Sequence, residues 1–257
     1  MSYHQNSVFH YSIATRARNP YFLDLLKPSE GEKVLDIGCG VGYFMDLLES
    51  SSKAEIWGID ISSESVVTAK QYFGDKVMVG STDHLPFEDN FFSKALCSEV
   101  LEHVPDDIAA IKEIKRILKP KGELVVTVPC LDGIFGSKIK NICHGHEGPE
   151  KHEREGYRKK EFIKLMESNG FTVEKCFCTM IFYTELLMGI SKIAFSVSSG
   201  KKNLEHQKDV ESLQGTKKLS ILKLIFPLLL LGTKIEDFFL KKLPGHMLVA
   251  KLRSNPS

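Results

Sequence analysis

The 257-residue chain has almost no net charge: 34 Lys and Arg stand against 33 Asp and Glu. No global field therefore recruits nucleic acid or another polyanion. Cysteines occur without a pattern. None of Cys39, Cys97, Cys130, Cys143, Cys176 and Cys178 forms a C-x-x-C pair. A cysteine-only zinc site and a disulfide framework are therefore not expected, and the thiols read as reduced in a cytoplasmic compartment. Residues 1–20 lack the apolar core of a secretory leader, and none is expected. Long hydrophobic runs are missing too. The most apolar stretch, 219–231, falls short of the ~20 residues of a spanning helix and is interrupted by Lys223 and Pro227.

What is present centres on Val34-Leu35-Asp36-Ile37-Gly38-Cys39-Gly40-Val41-Gly42, an apolar strand running into a glycine-rich turn. A helix opens at Tyr43 and carries Phe44, Leu47 and Leu48 on one face. Glycine has no Cβ and tolerates positive φ, so a ligand can lie over bare backbone here. A dinucleotide site calls for G-x-G-x-x-G, but the spacing is G-x-G-x-G and Asp36 ends the strand. A carboxylate at that place repels a pyrophosphate. It attracts a ligand carrying an ammonium and a sulfonium, as S-adenosylmethionine (SAM) does.

The length suits one α/β domain with an elaboration. Residues 21–26 read as a short helix ended by Lys27-Pro28. The strand from Ala54 ends in Asp60, twenty residues beyond Gly40, where an acid can take both hydroxyls of a ribose. Ser62 or Ser63 caps the next helix. A third strand, Lys76–Gly80, precedes Ser81-Thr82-Asp83-His84-Leu85-Pro86-Phe87. There Asp83 can accept the exocyclic amine of adenine, beside apolar Leu85 and Phe87. The fourth strand is expected over Phe91–Cys97. A helix over Asp106–Leu118 should bury Ile108, Ile111, Ile114, Ile117 and Leu118. The fifth strand is expected over Glu123–Val128. A helix over Lys159–Ser168, a strand near Phe171–Cys178 and a last strand over His246–Leu252 complete the pattern.

The segments VLDIGCGVG, GIDIS, STDHLPF and ALCSEVLEHVPD, leading to LKPKGELVVTVP, are similar in order and spacing to the class I SAM-dependent methyltransferases. The resemblance is strongest to the group that includes the ubiquinone-pathway O-methyltransferases. His152-Glu153-Arg154-Glu155-Gly156-Tyr157 likewise resembles the H-x-R-x-x-Y stretch of many such enzymes. Ser93 stands where that family often has Asp. The resemblance implies a doubly wound, Rossmann-like α/β fold with a seven-stranded, mostly parallel sheet and one antiparallel strand. It implies that Asp36, Gly38, Cys39, Gly40 and Gly42 hold the methionine part of SAM and Asp60 the ribose, with Ile61 also against the cofactor. Asp83 with His84 would hold the adenine, and backbone at Ser98 would close the site.

Ser98-Glu99-Val100-Leu101-Glu102-His103 follows the fourth strand at its carboxyl end. His103, with Glu99, is a candidate for removing the proton of a hydroxyl acceptor. The spacing Glu99-x-x-Glu102-His103 also resembles the E-x-x-E-H of some O-methyltransferases acting on RNA 3′ ends and ubiquinone precursors, which implies a divalent-metal site. That site needs another histidine, from among His144, His146 and His152. A role for Glu102 and His103 in capping the next helix, without metal, is the preferred reading.

The chain is expected to divide into a SAM-binding core (1–180), a helical insertion (181–244) and a last strand with its tail (245–257). The insertion holds the 219–231 run, flanked by Lys217, Lys218, Lys234, Lys241 and Lys242. It reads as a cap over the acceptor or, alternatively, as a segment docking on anionic lipid. The expected function is methyl transfer from SAM to a small or lipid-like acceptor, with oxygen as the expected target. The alternative is a catalytically silent SAM-binding scaffold subunit. The expected location is cytoplasmic, peripheral on a membrane if the lipid alternative holds.

Overall fold

The computed structural model describes residues 21–133, 153–179, 231 and 245–256. The apolar runs of the sequence become seven strands: Lys33–Ile37 (β1), Glu55–Asp60 (β2), Val77–Val79 (β3), Phe92–Ser98 (β4), Leu118–Pro129 (β5), Phe171–Thr179 (β6) and Met247–Ser254 (β7). They form one sheet in the order β3-β2-β1-β4-β5-β7-β6. β7 runs antiparallel to both β5 and β6, while the pairings from β3 through β5 are parallel. The sheet is thus the expected one, with a single antiparallel strand. Strand order reverses between β1 and β4, and a doubly wound fold binds ligands outside the carboxyl ends of the strands at that place.

Five described helices flank the sheet: 21–26 (α1), Tyr43–Ser51 (α2), Ser63–Phe73 (α3), Asp107–Ile117 (α4) and Lys159–Ser168 (α5). Side chains alternate along a strand, so each central strand feeds two cores. Val34, Ile56 and Leu96 pack with α1, α2 and α3, whereas Leu35, Ile37 and Cys97 pack with α4 and α5. α1 is too short to hold itself together in water. Its Phe22 and Leu26 are fully buried, and such burial contributes about 1.5–3 kcal/mol per side chain. Lys27 ends it in the left-handed region (φ 42°) and returns its amide to Leu23 O.

Three expectations are corrected. Ile108 is 44% exposed, because Asp106 caps α4 and the buried stripe runs through Asp107, Ala110, Ile111, Ile114 and Ile117. β5 starts at Leu118 rather than Glu123. A bulge absorbs the Lys-Pro-Lys-Gly turn, with Lys121 at φ 63° and pairing that jumps from Phe92↔Leu118 to Lys94↔Glu123. The cysteines are not all reduced: Cys130 and Cys178 form a disulfide. The register explains it. Cys178 pairs with Leu248 of β7, the Cys130 amide bonds His246 O, and both sulfurs lie on the α4–α5 side of the sheet.

Residues 1–20, Cys143, the histidines 144, 146 and 152, and the 181–244 insertion apart from Leu231 lie outside the described residues. Among the described residues no helix is long and apolar enough to cross a membrane.

Candidate functional site

β1 delivers Asp36 between Gly58 of β2 and Leu96 of β4. The side chain is 1% exposed, and Oδ2 has no hydrogen-bond partner among the described residues. Burial first, and then the charge of Asp60, push its carboxyl well above the usual carboxylate range. An orphaned buried oxygen of this kind is rare in folded proteins and calls for an explanation.

The glycine turn folds back onto β2: the amides of Gly38 and Cys39 both donate to Ile59 O, at 2.8 and 3.1 Å. Gly38, Gly40 and Gly42 all have positive φ, at 72°, 53° and 88°. Their surroundings differ. A Cβ on Gly38 would collide with Val100, and one on Gly42 would lie 2.5 Å from the Phe73 ring. One on Gly40 would meet nothing within 4 Å. Open space therefore lies over Gly40, walled on both sides.

Asp60, at the end of β2, ties this loop to the next helix. Its Oδ2 accepts from the Gly40 amide at 2.7 Å, and its Oδ1 from the Ser62 amide at 2.8 Å. Ser62 in turn caps α3 by accepting from the Ser65 amide. The neighbouring Ile61 is 75% exposed. The loop after β3 is held from below: the Leu85 amide donates to Glu113 Oε2, and Arg116 donates to the carbonyls of Leu85 and Phe87. Leu85 is buried, while Asp83 and His84 stand exposed.

After β4, the Ser98 hydroxyl pairs with the Thr127 hydroxyl at 2.9 Å. Glu99 takes a left-handed backbone (φ 56°) with its amide on Thr127 O. Its Oε1 is buried with no hydrogen-bond partner among the described residues. Backbone strain of this type costs about 1–3 kcal/mol and concentrates at working sites. Leu101–His103 then make one 3-10 turn in which Glu102 is fully buried and His103 half-buried. The Cys97 thiol is pushed up by burial first and then by the charges of Glu102, Asp36 and Glu99. Glu99, Glu102 and His103 do not assemble into a metal-ligating cluster: among the described residues no three His, Cys, Asp or Glu side chains do.

Sequence reasoning missed one residue here. Asp107 is buried and takes both the Arg154 guanidinium and the Tyr157 hydroxyl. The H-x-R-x-x-Y pattern pointed to Arg154 and Tyr157, but their partner lies about fifty residues upstream. Only the doubled acid Asp106-Asp107 hinted that one caps the helix while the other faces inward.

Residues 35–126 match the family described as methyltransferase domain. That segment is a methyltransferase domain, and the sheet around it has the fold of the class I SAM-dependent methyltransferases. An O-methyltransferase of Aspergillus sclerotiorum is 32% identical over 161 residues, 56% of this chain and 61% of that protein. A 24-methylenesterol C-methyltransferase of Arabidopsis thaliana is 36% identical over 121 residues, 44% of this chain and 33% of that protein. The chain spans about half the length of the curated relatives it matches. A SAM-dependent methyltransferase from Archaeoglobus fulgidus shares the fold at 15% identity, with TM-score 0.59 over 94% of this chain and 93% of that one. The methyltransferase domain thus contains both the glycine turn and the segment after β4.

Proposed function

We propose that the protein transfers the methyl group of SAM to a small or lipid-like acceptor, with oxygen as the expected target. The observation that carries this reading is the buried Asp36 oxygen, without a hydrogen-bond partner among the described residues, on the strand that runs into a turn open at Gly40. A cationic ligand over that backbone would relieve the desolvated carboxylate, and SAM carries both an ammonium and a sulfonium. Asp36, Gly38, Cys39, Gly40 and Gly42 would hold its methionine part. Asp60 would keep its two backbone bonds and use the remaining lone pairs for the ribose hydroxyls. Exposed Ile61 offers an apolar face to the adenine, Asp83 and His84 its polar edge, and Ser98 closes the site.

SAM supplies a methyl carbon made electrophilic by its sulfonium, so the protein's work is alignment and proton management. Glu99 and His103 stand at the carboxyl end of β4, next to the strand bearing Asp36. Glu99 Oε1, which has no hydrogen-bond partner among the described residues, would accept a hydrogen bond from the acceptor and orient its attacking oxygen. His103 would take the proton of the acceptor hydroxyl during the transfer, while SAM would supply the electrophilic methyl carbon and leave as the neutral thioether S-adenosylhomocysteine. The Aspergillus O-methyltransferase supports oxygen as the target, and the apolar 219–231 run with its flanking lysines supports a lipid-like acceptor.

Calorimetric titration with SAM, followed by turnover to S-adenosylhomocysteine with phenolic and prenylated acceptors, tests the reading. Absence of SAM binding would overturn it. Tight binding with no turnover on any acceptor would favour the scaffold alternative.

A further inference from the structure

Residues 153–157 fasten two separate stretches, 101–107 and 129–131, at once. On one side, the amides of Glu153 and Arg154 both donate to Glu102 O, at 3.0 and 3.2 Å. Arg154 Nη2 donates to the carbonyls of Val104 and Pro105, at 3.1 and 3.4 Å, while Nη1 pairs with the buried Asp107 carboxylate. The Tyr157 hydroxyl donates to Asp107 Oδ2 at 3.0 Å and lies 3.3 Å from Leu101 O, and the guanidinium sits 5.5 Å from the tyrosine ring centre. On the other side, the Tyr157 amide bonds Pro129 O and the Leu131 amide bonds Tyr157 O.

The carbonyls of Glu102, Val104 and Pro105 thus all take donors from this one stretch, and the Tyr157 hydroxyl lies beside Leu101 O. The turn they define begins at Val100, which abuts Gly38 so closely that no side chain fits there. Arg154 is therefore connected to the glycine turn through a short, rigid path: guanidinium, Asp107 and the Val104–Pro105 carbonyls, the 3-10 turn, Val100, Gly38. Lysine has the charge but not the planar fork that reaches a carboxylate and two carbonyls together.

We propose that Arg154 is a positioning residue. By fixing Val100–Pro105 against the glycine turn it sets the affinity of the cofactor site, and ligand binding there tightens the 153–157 stretch in return. Coupling between binding sites is reciprocal, so both directions are measurable. The inference rests on the cofactor reading given above.

The experiment uses the full chain and S-adenosylhomocysteine as the probe. Hydrogen exchange of the wild-type protein is measured with and without it, and affinity is measured by calorimetry for wild type, Arg154→Lys and Arg154→Ala. Exchange at the Glu153 and Arg154 amides should slow on binding. Arg154→Ala should bind between about 3- and 30-fold more weakly, Arg154→Lys should fall between it and wild type, and added methylguanidine should restore the alanine variant. A general loss of packing would not be repaired by methylguanidine. A folded Arg154→Ala protein with wild-type affinity overturns the proposal, as does unchanged exchange at the two amides in wild type. The exchange arm decides the matter if the alanine variant does not fold. Failure of the wild-type protein to bind the probe at all is a different result, which overturns the cofactor reading itself.

Discussion

The Gly40 amide donates to Asp60 Oδ2 across a gap of twenty residues in sequence. This bond fixes the middle of the glycine turn to the end of β2, and Asp60 also holds the Ser62 amide that leads into α3. Changing Asp60 to Ala removes a charge-assisted acceptor from two backbone donors and from the ligand. We expect SAM affinity to fall by about 1.5–3 kcal/mol. Calorimetry on the folded variant checks this, and unchanged affinity would sink the ribose assignment.

The glycines separate packing from ligand space. At Gly40 an alanine meets no neighbour, though its positive φ costs about 1–2 kcal/mol. At Gly38 and Gly42 it collides with Val100 and Phe73 as well. Thermal melts should therefore rank Gly40→Ala as the most stable of the three variants. SAM titration should show that it still loses binding, because the added methyl enters the open space.

Asp36 works against the fold's stability. Burial raises its carboxyl above the ordinary 3.8, so the folded state holds this proton to higher pH than the unfolded one. Its contribution to stability is complete below the unfolded value and declines as pH rises through the folded one. Asp36→Asn removes that loss. At neutral pH the variant should melt higher than wild type without ligand, yet bind SAM more weakly. The deficit should be smaller for S-adenosylhomocysteine, which lacks the sulfonium. Wild-type affinity for SAM should itself rise with pH as Asp36 ionises. A variant with a lower melting temperature and full SAM affinity would refute the assignment.

The Cys130–Cys178 bridge closes a loop of 48 residues. Chain-entropy reasoning assigns such a crosslink about 2–4 kcal/mol. Urea unfolding with and without dithiothreitol should show a loss of that order in wild type and none in Cys130→Ser. Equal midpoints for wild type in both conditions would mean that the link does not contribute.

The lysine-flanked apolar run, 219–231, leads us to expect reversible, salt-sensitive binding to anionic vesicles. Cosedimentation at low salt, lost on changing Leu228, Leu229 and Leu230 to Ser in a variant that still binds SAM, is the check. No sedimentation of wild type would leave the cap reading.

What could be read from the sequence was local. Asp36, the three glycines and Asp60 lie on consecutive strand–turn–helix units, where spacing along the chain dictates spacing in space. Helix α5 and strand β6 were placed closely by their apolar spacing and by Gly170, which takes the positive φ (85°) between them. Illegible features depended on chain segments meeting from far apart. Nothing near Cys130 shows that β7 will bring Cys178 alongside it. Nothing near Asp107 shows that its partners are Arg154 and Tyr157. Ile108 failed for a different reason: isoleucines three apart drift around a helix, and the true stripe ran through a buried acid and an alanine.

The position of β7 bears on how the molecule comes to exist. Its residues, Met247–Ser254, lie between β5 and β6 and supply hydrogen bonds to both. Until they arrive, β5 has no partner on that side and β6 with α5 has no sheet to join. The parallel half can form early from neighbouring segments, but the antiparallel half must wait for β7, which follows β6 only after the long 181–244 segment. A chain still lacking that strand would present two raw sheet edges, the hazard that exposed strands carry. The sheet should therefore close only when β7 pairs with both neighbours, that strand acting as its bolt.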